Sequence, residues 1–290
     1  MRKISLFLIL ALLLCLVGCS TAQPTPAIVA TTKPVYDFTS ALCRGTSLQI
    51  GQLINENVSC LHDYSLSVNQ VRMAEAAQVM VISGAGLEVF MENMLTGCDY
   101  LIDSSVGISL LECEQEHDHD HDHAHEADAH IWLSPINAKQ MAQNICQGLS
   151  VAYPDYADTF QQNLSGLLNN LDALQTYGEE MLSSLSCRDL VTFHDGFGYL
   201  AHAFDLRIAA AVEEESGSEA SAKELIELIA LIEQHQIPAI FAEINGSASA
   251  PGIIAGETGV SVHLLDMAMG DGDYFENMRK NIDTLKEALG

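Results

Sequence analysis

Beyond residue 26, the hydrophobic positions alternate between short apolar runs and stretches with a helical period. The runs predict strands, and the periodic stretches predict helices that cover both faces of a parallel sheet. Strands are predicted at 27–32, 48–54, 79–83, 100–102, 190–193, 208–212, 239–243 and 261–265. Helices are predicted at 35–43, 68–77, 87–95, 137–149, 196–204, 220–234, 250–258 and 274–289. The pattern predicts an α/β fold.

A long amphipathic stretch interrupts this alternation at residues 155–185. Its apolar positions follow one another at steps of three and four, with Gly178 where one side chain is missing: Phe160, Leu164, Leu167, Leu171, Leu174, Met181 and Leu185. They predict one helix of about 45 Å at about 1.5 Å per residue. We expect residues 155–186 to bridge two βα lobes rigidly, one formed by residues 27–154 and the other by residues 187–290.

The N-terminus has the features of an export signal. Arg2 and Lys3 precede an apolar run over residues 4–17, which is too short for a comfortable membrane span. The run ends at Cys19 in a stretch that resembles the bacterial lipobox, in which the cysteine becomes the lipidated first residue; an ordinary signal peptide with an incidental cysteine is the alternative. We therefore expect residues 1–19 to be a leader, residues 20–26 to be a tether, and the protein to lie outside the cytoplasm. It would be anchored to the cell membrane, or periplasmic where an outer membrane exists.

The composition is that of an ordinary globular chain with a strongly acidic balance. Hydrophobic residues make up 48% of the sequence, and 12 basic residues face 39 acidic ones for a net charge of −27. Nucleic acid is an unsuitable partner, because phosphate binding needs clustered Lys and Arg. The acidic surface suits cations, or it simply keeps the protein solvated. We expect a monomer.

Export changes the interpretation of the cysteines. Six remain after the leader and the lipidation site are set aside: Cys43, Cys60, Cys98, Cys113, Cys146 and Cys187. An even number in an exported chain favours disulfides over free thiols. Sequence neighbours are predicted to pair, as Cys43–Cys60, Cys98–Cys113 and Cys146–Cys187.

Histidine is concentrated in one segment. Five of the eleven histidines alternate with acidic residues or alanine: His117, His119, His121, His123 and His125. Imidazole and carboxylate groups bind zinc, nickel, copper and cobalt. The surrounding residues 114–127 lack an apolar period and predict a loop, which cannot fix a single coordination geometry. We interpret the segment as a metal collector of low specificity whose deletion would leave tight binding in place. An acidic linker that happens to be histidine-rich is the alternative.

Four other residues lie next to predicted element ends. His62 follows the strand at 48–54, and His130 precedes the helix at 137–149. His194 and Asp266 directly follow strands. Ligand sites in open parallel sheets gather at the carboxyl ends of the strands. These positions predict a common site.

The segments around these four residues resemble a known family. They read Leu-His-Asp-Tyr-Ser-Leu-Ser at 61–67, Asp-Ala-His-Ile-Trp-Leu-Ser-Pro at 128–135, Phe-His-Asp-Gly-Phe-Gly-Tyr at 193–199 and Leu-Leu-Asp at 264–266. They are similar to the metal-binding solute-binding proteins of zinc and manganese ABC importers, which include adhesin-like lipoproteins. The resemblance runs from about residue 27 to residue 290. It implies a binding protein that delivers a metal ion to an ABC permease.

The resemblance also implies a ligand set in the cleft between the lobes. Carried over position by position, the ligands are His62, His130, His194 and Asp266, and three imidazoles with one carboxylate suit tetrahedral zinc. Manganese-preferring relatives tend to have a carboxylate at the third position, so His194 favours Zn²⁺. A manganese-type importer protein and a metal-storing surface adhesin are the alternatives.

Departures from the family pattern leave three questions. Cys60, two residues before His62, is either a metal ligand or half of a disulfide. Glu243 at a strand end is an outer hydrogen-bond acceptor, an alternative fourth ligand, or a solvated carboxylate. A hydrolase would need an open zinc position, but the sequence has no His-Glu-x-x-His and no nucleophile elbow, so we expect no enzymatic activity. The remaining histidines match no family ligand and are interpreted as surface or packing residues: His202, His235 and His263.

Overall fold

The computed structural model describes residues 26–56, 61, 64–111, 127–212 and 220–290. These residues form two lobes, each built on a four-stranded sheet whose paired strands are all parallel. The leader with Cys19, His62 and Cys60, and the histidine-rich run with Cys113 lie outside the described residues. Within the described part of the chain, no helix is long and apolar enough to cross a membrane.

The N-terminal lobe follows the predicted alternation. Its elements are β1 (Ile28–Ala30), α1 (Lys33–Leu42), β2 (Ile50–Gln52), α2 (Val68–Glu75), β3 (Val79–Ile82), α3 (Glu92–Leu95), β4 (Tyr100–Asp103) and α4 (Pro135–Ala152). The strand order is β2-β1-β3-β4. The helix predicted over 87–95 is instead a 3₁₀ turn, Val89–Met91, continued by α3. Three successive residues with positive φ, Gly84, Ala85 and Gly86, form a turn ahead of it and delay its start.

The C-terminal lobe repeats the same strand arrangement. Its elements are β5 (Asp189–Thr192), α6 (Gly198–Ala203), β6 (Arg207–Ala211), α7 (Ala222–His235), β7 (Ala239–Glu243), α8 (Ser249–Thr258), β8 (Ser261–Leu265) and α9 (Tyr274–Leu289). The strand order is β6-β5-β7-β8. In both sheets, chain connections run in opposite directions from the first strand, which creates a topological switch point beside it. The switch points lie between β1 and β3 and between β5 and β7.

The long helix α5 (Ala157–Leu182) follows a 3₁₀ turn, Pro154–Tyr156. Its 26 residues span about 39 Å at about 1.5 Å per residue. It packs against α1 and α4 of the first lobe and α9 of the second, as a bridging element should. Gly178 completes the apolar stripe because a Cβ there would lie 2.2 Å from the Phe204 ring of the other lobe. The last buried position is Leu182, one residue beyond the predicted Met181.

Helix starts are encoded locally in three places. In each, the residue before the helix accepts from the backbone of the third helical residue, whose side chain accepts in return from the backbone before the helix. Such capping boxes satisfy backbone donors that have no partner inside the helix. The pairs are Ser67 with Gln70, Ser221 with Glu224, and Asp273 with Glu276.

Among the described residues no disulfide is present. The four described cysteines are free thiols: Cys43, Cys98, Cys146 and Cys187. The Cys146–Cys187 prediction is wrong because the two thiols lie in different environments. Cys146 faces the core from α4 and accepts from Gln161 Nε2, whereas Cys187 Sγ points at the backbone oxygen of Asp189. Cys43 is buried below α1, and burial raises the pKa of its thiol to about 12. Cys43 and Cys98 are likewise unpaired, while their predicted partners lie outside the described residues.

Candidate metal centre

The carboxyl ends of the C-terminal sheet gather three polar side chains at one edge. His194 comes two residues after β5, Glu243 ends β7, and Asp266 directly follows β8. Because these strands are parallel, the three residues leave the sheet at the same edge. All three are buried. This is the switch-point edge at which open α/β sheets bind ligands.

Asp266 is fixed through both its backbone and its side chain. Asn281 of α9 accepts from its backbone N–H at 2.9 Å and donates to its carbonyl at 2.7 Å. Its Oδ1 accepts from the backbone N–H groups of Met269 and Gly270, across a turn in which Ala268 has a φ of 58°. Among the described residues, Oδ2 accepts no hydrogen bond. The turn therefore anchors one carboxylate oxygen and leaves the other available.

His130 is oriented by a neighbouring carboxylate. It directly precedes the 3₁₀ turn Ile131–Leu133, which leads into α4. Asp128 Oδ1 lies 2.8 Å from both the backbone nitrogen and Nδ1 of His130. A carboxylate at Nδ1 favours the tautomer with the proton on that nitrogen, so Nε2 carries the lone pair. The same arrangement orients histidines that bind metals.

The two buried histidines face each other across the lobes. Their Nε2 atoms are 3.5 Å apart, and the rings meet edge to face with centroids at 5.2 Å. In a tetrahedral zinc site with Zn–N bonds of about 2.05 Å, two ligand nitrogens lie about 3.4 Å apart. Gly196 is required beside them, because a Cβ there would lie 2.8 Å from His194 Nε2 and 2.3 Å from the Met267 methyl. The pair thus has the spacing of two imidazoles sharing one ion.

Further hydrogen bonds between the lobes hold these segments together. Trp132 Nε1 donates to the carbonyl of Met267 at 2.6 Å, and the Tyr274 hydroxyl donates to the carbonyl of Trp132 at 2.7 Å. The backbone N–H of Tyr274 donates to Asp37 on α1. Burial raises the pKa of the Tyr274 phenol, so it stays protonated and able to donate. The turn after His130 is therefore bonded directly to the residue that follows Asp266.

The structure describes only part of the site that the sequence predicts. It brings His130 and His194 together. Within the described ranges, no group of three or more His, Cys, Asp and Glu side chains lies within reach of one ion, so Asp266 and Glu243 do not join the pair in such a group. His62 and the run His117–His125 lie outside these ranges. The ligand set of four therefore stays a prediction.

The histidines without a family match lie on the surface or pack against neighbours. His202 is exposed on α6. His235 is half-exposed, with Nδ1 3.8 Å from Asp189, and His263 packs near the Phe241 ring while its Nε2 lies 3.0 Å from the Ser261 hydroxyl.

Sequence reasoning missed the residues that orient the ligands. Asp128, Asn281 and Tyr199 each hold a site segment through buried hydrogen bonds. The only local signal was the carboxylate two residues before His130. The contributions of Asn281 and Tyr199 depend on contacts between distant segments, which no local pattern encodes.

Two lobes on parallel sheets, a bridging helix and a histidine pair between the lobes define the class of two-lobed solute-binding proteins. The family described as zinc-uptake complex component A, periplasmic (ZnuA), matches residues 28–288. The chain belongs to this family.

Curated relatives and solved structures agree. The zinc-binding lipoprotein AdcA of Streptococcus pneumoniae is 31% identical over 99% of this chain. A putative metal-binding protein of Treponema pallidum is 27% identical over 93% of this chain and 92% of its own length. A crystal structure of ZnuA is 28% identical, with a TM-score of 0.81 over 91% of this chain and 98% of that one. The chain spans only 61% of the length of the pneumococcal AdcA.

Proposed function

We propose that this chain captures Zn²⁺ between its lobes, outside the cytoplasm, and delivers it to an ABC permease for uptake. The observation that carries the proposal is the buried pair His130 and His194, one from each lobe, at the spacing of two zinc ligands. Relatives support the metal: the pneumococcal AdcA is a zinc-binding lipoprotein, and one AdcA structure from Streptococcus pneumoniae, 28% identical to this chain, is Zn(II)-bound.

The proposed ligands are His130, His194 and Asp266, with His62 as the fourth. His130 Nε2 is left available by the bond between Nδ1 and Asp128, and Asp266 offers Oδ2. Three nitrogens and one oxygen complete a tetrahedral zinc site with no open position. Closing the site in this way suits capture and release and leaves no place for a catalytic water, so we propose a binding protein and not an enzyme.

The donor set also favours zinc over manganese. Manganese prefers carboxylate, carbonyl and water oxygens, whereas imidazole nitrogens suit zinc. The orienting bond from Asp128 further raises the basicity of His130. We propose that the histidine-rich run plays an accessory role in metal binding. We also propose that Glu243 is an outer hydrogen-bond acceptor of the site.

The predicted leader supports a location, and the family supports a partner. We propose that residues 1–19 are removed, that Cys19 carries the lipid, that residues 20–26 are a tether, and that the protein works as an anchored monomer. The lobes would be residues 27–154 and 187–290, bridged by residues 155–186. This placement is supported by two relatives: the pneumococcal AdcA is a lipoprotein, and the ZnuA component of the zinc-uptake complex is periplasmic. The permease is the proposed partner that receives the ion.

Calorimetric titration of the metal-free mature protein tests the function. We expect one tight zinc site, and we expect His194→Gln to weaken it at least about 100-fold because one of four ligands is lost. His202→Gln is the matched control, since it removes an exposed histidine on the neighbouring helix. Unchanged tight binding in His194→Gln would refute the interlobe site, and several ions unaffected by it would support metal storage. If manganese displaced zinc from the protein at equal concentration, the zinc assignment would be contradicted.

A further inference from the structure

We propose that Tyr199 is a positioning residue for the metal site. Its hydroxyl bonds to the backbone of Asp128, whose side chain orients His130. It also bonds to Leu111, so that it holds the two residues that flank the histidine-rich segment near the metal site. The inference rests on the proposed function for its effect on zinc, but its structural part concerns the metal-free protein.

The Tyr199 hydroxyl joins three parts of the chain. Tyr199 lies on α6 in the C-terminal lobe and is 3% exposed. Its oxygen accepts from the backbone N–H of Leu111 at 2.9 Å and donates to the backbone carbonyl of Asp128 at 3.0 Å. The N–H of Asp128 in turn donates to the carbonyl of Leu111 at 3.1 Å. Leu111 and Asp128 of the first lobe are thus bonded to each other and to one side chain of the second.

These hydrogen bonds involve the two residues that flank the histidine-rich segment in sequence. Residues 112–127, which include the run His117–His125, lie between Leu111 and Asp128. Leu111 and Asp128, the two residues that flank this segment, both bond to Tyr199. These flanking residues are therefore held near the metal site by bonds that do not depend on the run itself.

The same group of hydrogen-bonded residues also contacts His130. The Asp128 carbonyl bonds to Tyr199, and the Asp128 carboxylate bonds to both the backbone nitrogen and Nδ1 of His130. Gly198 allows this approach, because a Cβ there would lie 3.1 Å from Asp128 Oδ2. One short segment of the second lobe, residues 194–199, therefore contacts residues 128–130 twice, through Tyr199 and through the facing histidines.

Removing the Tyr199 hydroxyl should leave the His130 ring less firmly oriented without creating a cavity in the core. Tyr199→Phe keeps the ring and deletes the hydroxyl bonds to Leu111 and Asp128. The Asp128 peptide then loses its restraint, and its carboxylate holds the Nδ1 proton of His130 less firmly. Substitutions of groups that orient a metal-binding histidine typically cost about 10-fold to 100-fold in metal affinity. We expect about 10-fold for Tyr199→Phe, which acts one bond further out than Asp128.

The first measurement is made on metal-free protein. Long-range proton–nitrogen NMR spectra of the histidine rings distinguish the two neutral tautomers, and His130→Gln identifies the His130 signals. We expect the Nδ1–H form in the unsubstituted protein, a mixture of tautomers in Tyr199→Phe, and a larger change in Asp128→Asn. Tyr177→Phe is the matched control, because the Tyr177 hydroxyl bonds to Asp283 on the surface of the molecule. A His130 tautomer unchanged in Tyr199→Phe would overturn the inference.

The second measurement is zinc affinity, with thermal unfolding to show that each variant is folded. Weaker binding in Tyr199→Phe and unchanged binding in Tyr177→Phe support the positioning role. If His194→Gln abolishes zinc binding while Tyr199→Phe binds like the unsubstituted protein, the proposed function stands and this inference fails. If His194→Gln binds normally, the proposed function fails, and the tautomer measurement alone then decides whether Tyr199 orients His130.

Discussion

The two switch points of the molecule have the same topology but different contents. In the N-terminal lobe, the space between the ends of β1 and β3 is filled by one carboxylate, Glu88, which is 3% exposed. Its Oε1 accepts from the Thr31 hydroxyl at 2.6 Å and the backbone N–H of Ser83 at 2.8 Å, and its Oε2 accepts from the N–H of Gly84 at 3.0 Å. The chain thus places one of its own carboxyl groups where open sheets bind ligands.

In the C-terminal lobe the corresponding edge turns its polar groups toward the other lobe. His194 follows β5 and meets His130, while Asp266 follows β8 and keeps one carboxylate oxygen available. The same topology thus provides two equivalent crevices, and in the N-terminal lobe one internal side chain, Glu88, occupies the crevice. The N-terminal lobe contributes His130 from a turn ahead of a helix instead of from its own switch point.

The largest expected effect is on stability in the N-terminal lobe. Glu88→Ala removes the acceptor of three buried donors and opens a cavity, so we expect the free energy of unfolding to fall by about 3–5 kcal/mol. Urea unfolding of metal-free protein measures it, with Glu92→Ala on the exposed side of α3 as the control. Zinc affinity of the folded variant should change less than about threefold. A large loss of affinity with little loss of stability would show that the N-terminal switch point is functional as well.

The next effect is the pH dependence that Glu88 contributes. Burial raises its pKa from 4.5 to about 7, although the three donors oppose the shift. A carboxyl whose folded pKa is raised stabilises the fold below pH 4.5, and that contribution is lost as the pH rises through about 7. The loss amounts to roughly 3–4 kcal/mol at about 1.36 kcal/mol per pKa unit.

Comparing the protein with Glu88→Gln isolates this contribution, because the amide does not titrate. The difference in unfolding free energy between the two metal-free proteins should shift between pH 4.5 and 8 toward relative stability of the variant. A difference that stays constant over this range would mean that Glu88 keeps an ordinary pKa and that the switch point is not a buried environment.

The smallest effect compares two threonines at the ends of the first strands. The Thr31 hydroxyl is bonded to Glu88, whereas among the described residues the Thr192 hydroxyl, buried at the end of β5, has no hydrogen-bond partner. Thr31→Val should cost about 1–2 kcal/mol, and Thr192→Val should be neutral or slightly stabilising. Thermal unfolding of both variants measures the contrast. Equal losses would contradict the difference between the two switch points.

The sequence pattern predicted most of the fold because local periodicity encodes it. Strands β7 and β8 and helix α9 begin and end where the pattern placed them, and the stripe around Gly178 indicated the bridge. The stretch at 87–95 was misread as one helix because its apolar residues have helical spacing. The turn of positive φ at Gly84–Gly86, which returns Glu88 to the strand ends, became apparent only in three dimensions.

The candidate site was predicted where a residue type is itself the signal. His130 and His194 were identified as neighbours from their positions beside element ends and from the family resemblance, and the structure brings them together. The bonds made by Tyr199 and Asn281 could not be predicted, because each joins a side chain to the backbone of another segment. Asp128 differs, since it lies only two residues before the histidine that it orients. The Cys146–Cys187 pairing failed because spacing along the chain says nothing about which way a side chain faces.

Trp132 gives the molecule a built-in optical reporter. It is the single tryptophan of the chain, it is 1% exposed, and its ring centroid lies 5.4 Å from that of His130. When the protein is excited at wavelengths that tyrosine does not absorb, its fluorescence therefore comes from one indole between the two lobes. An ion bound by His130 places charge beside that indole, so the emission should report occupancy and lobe contact without an attached dye.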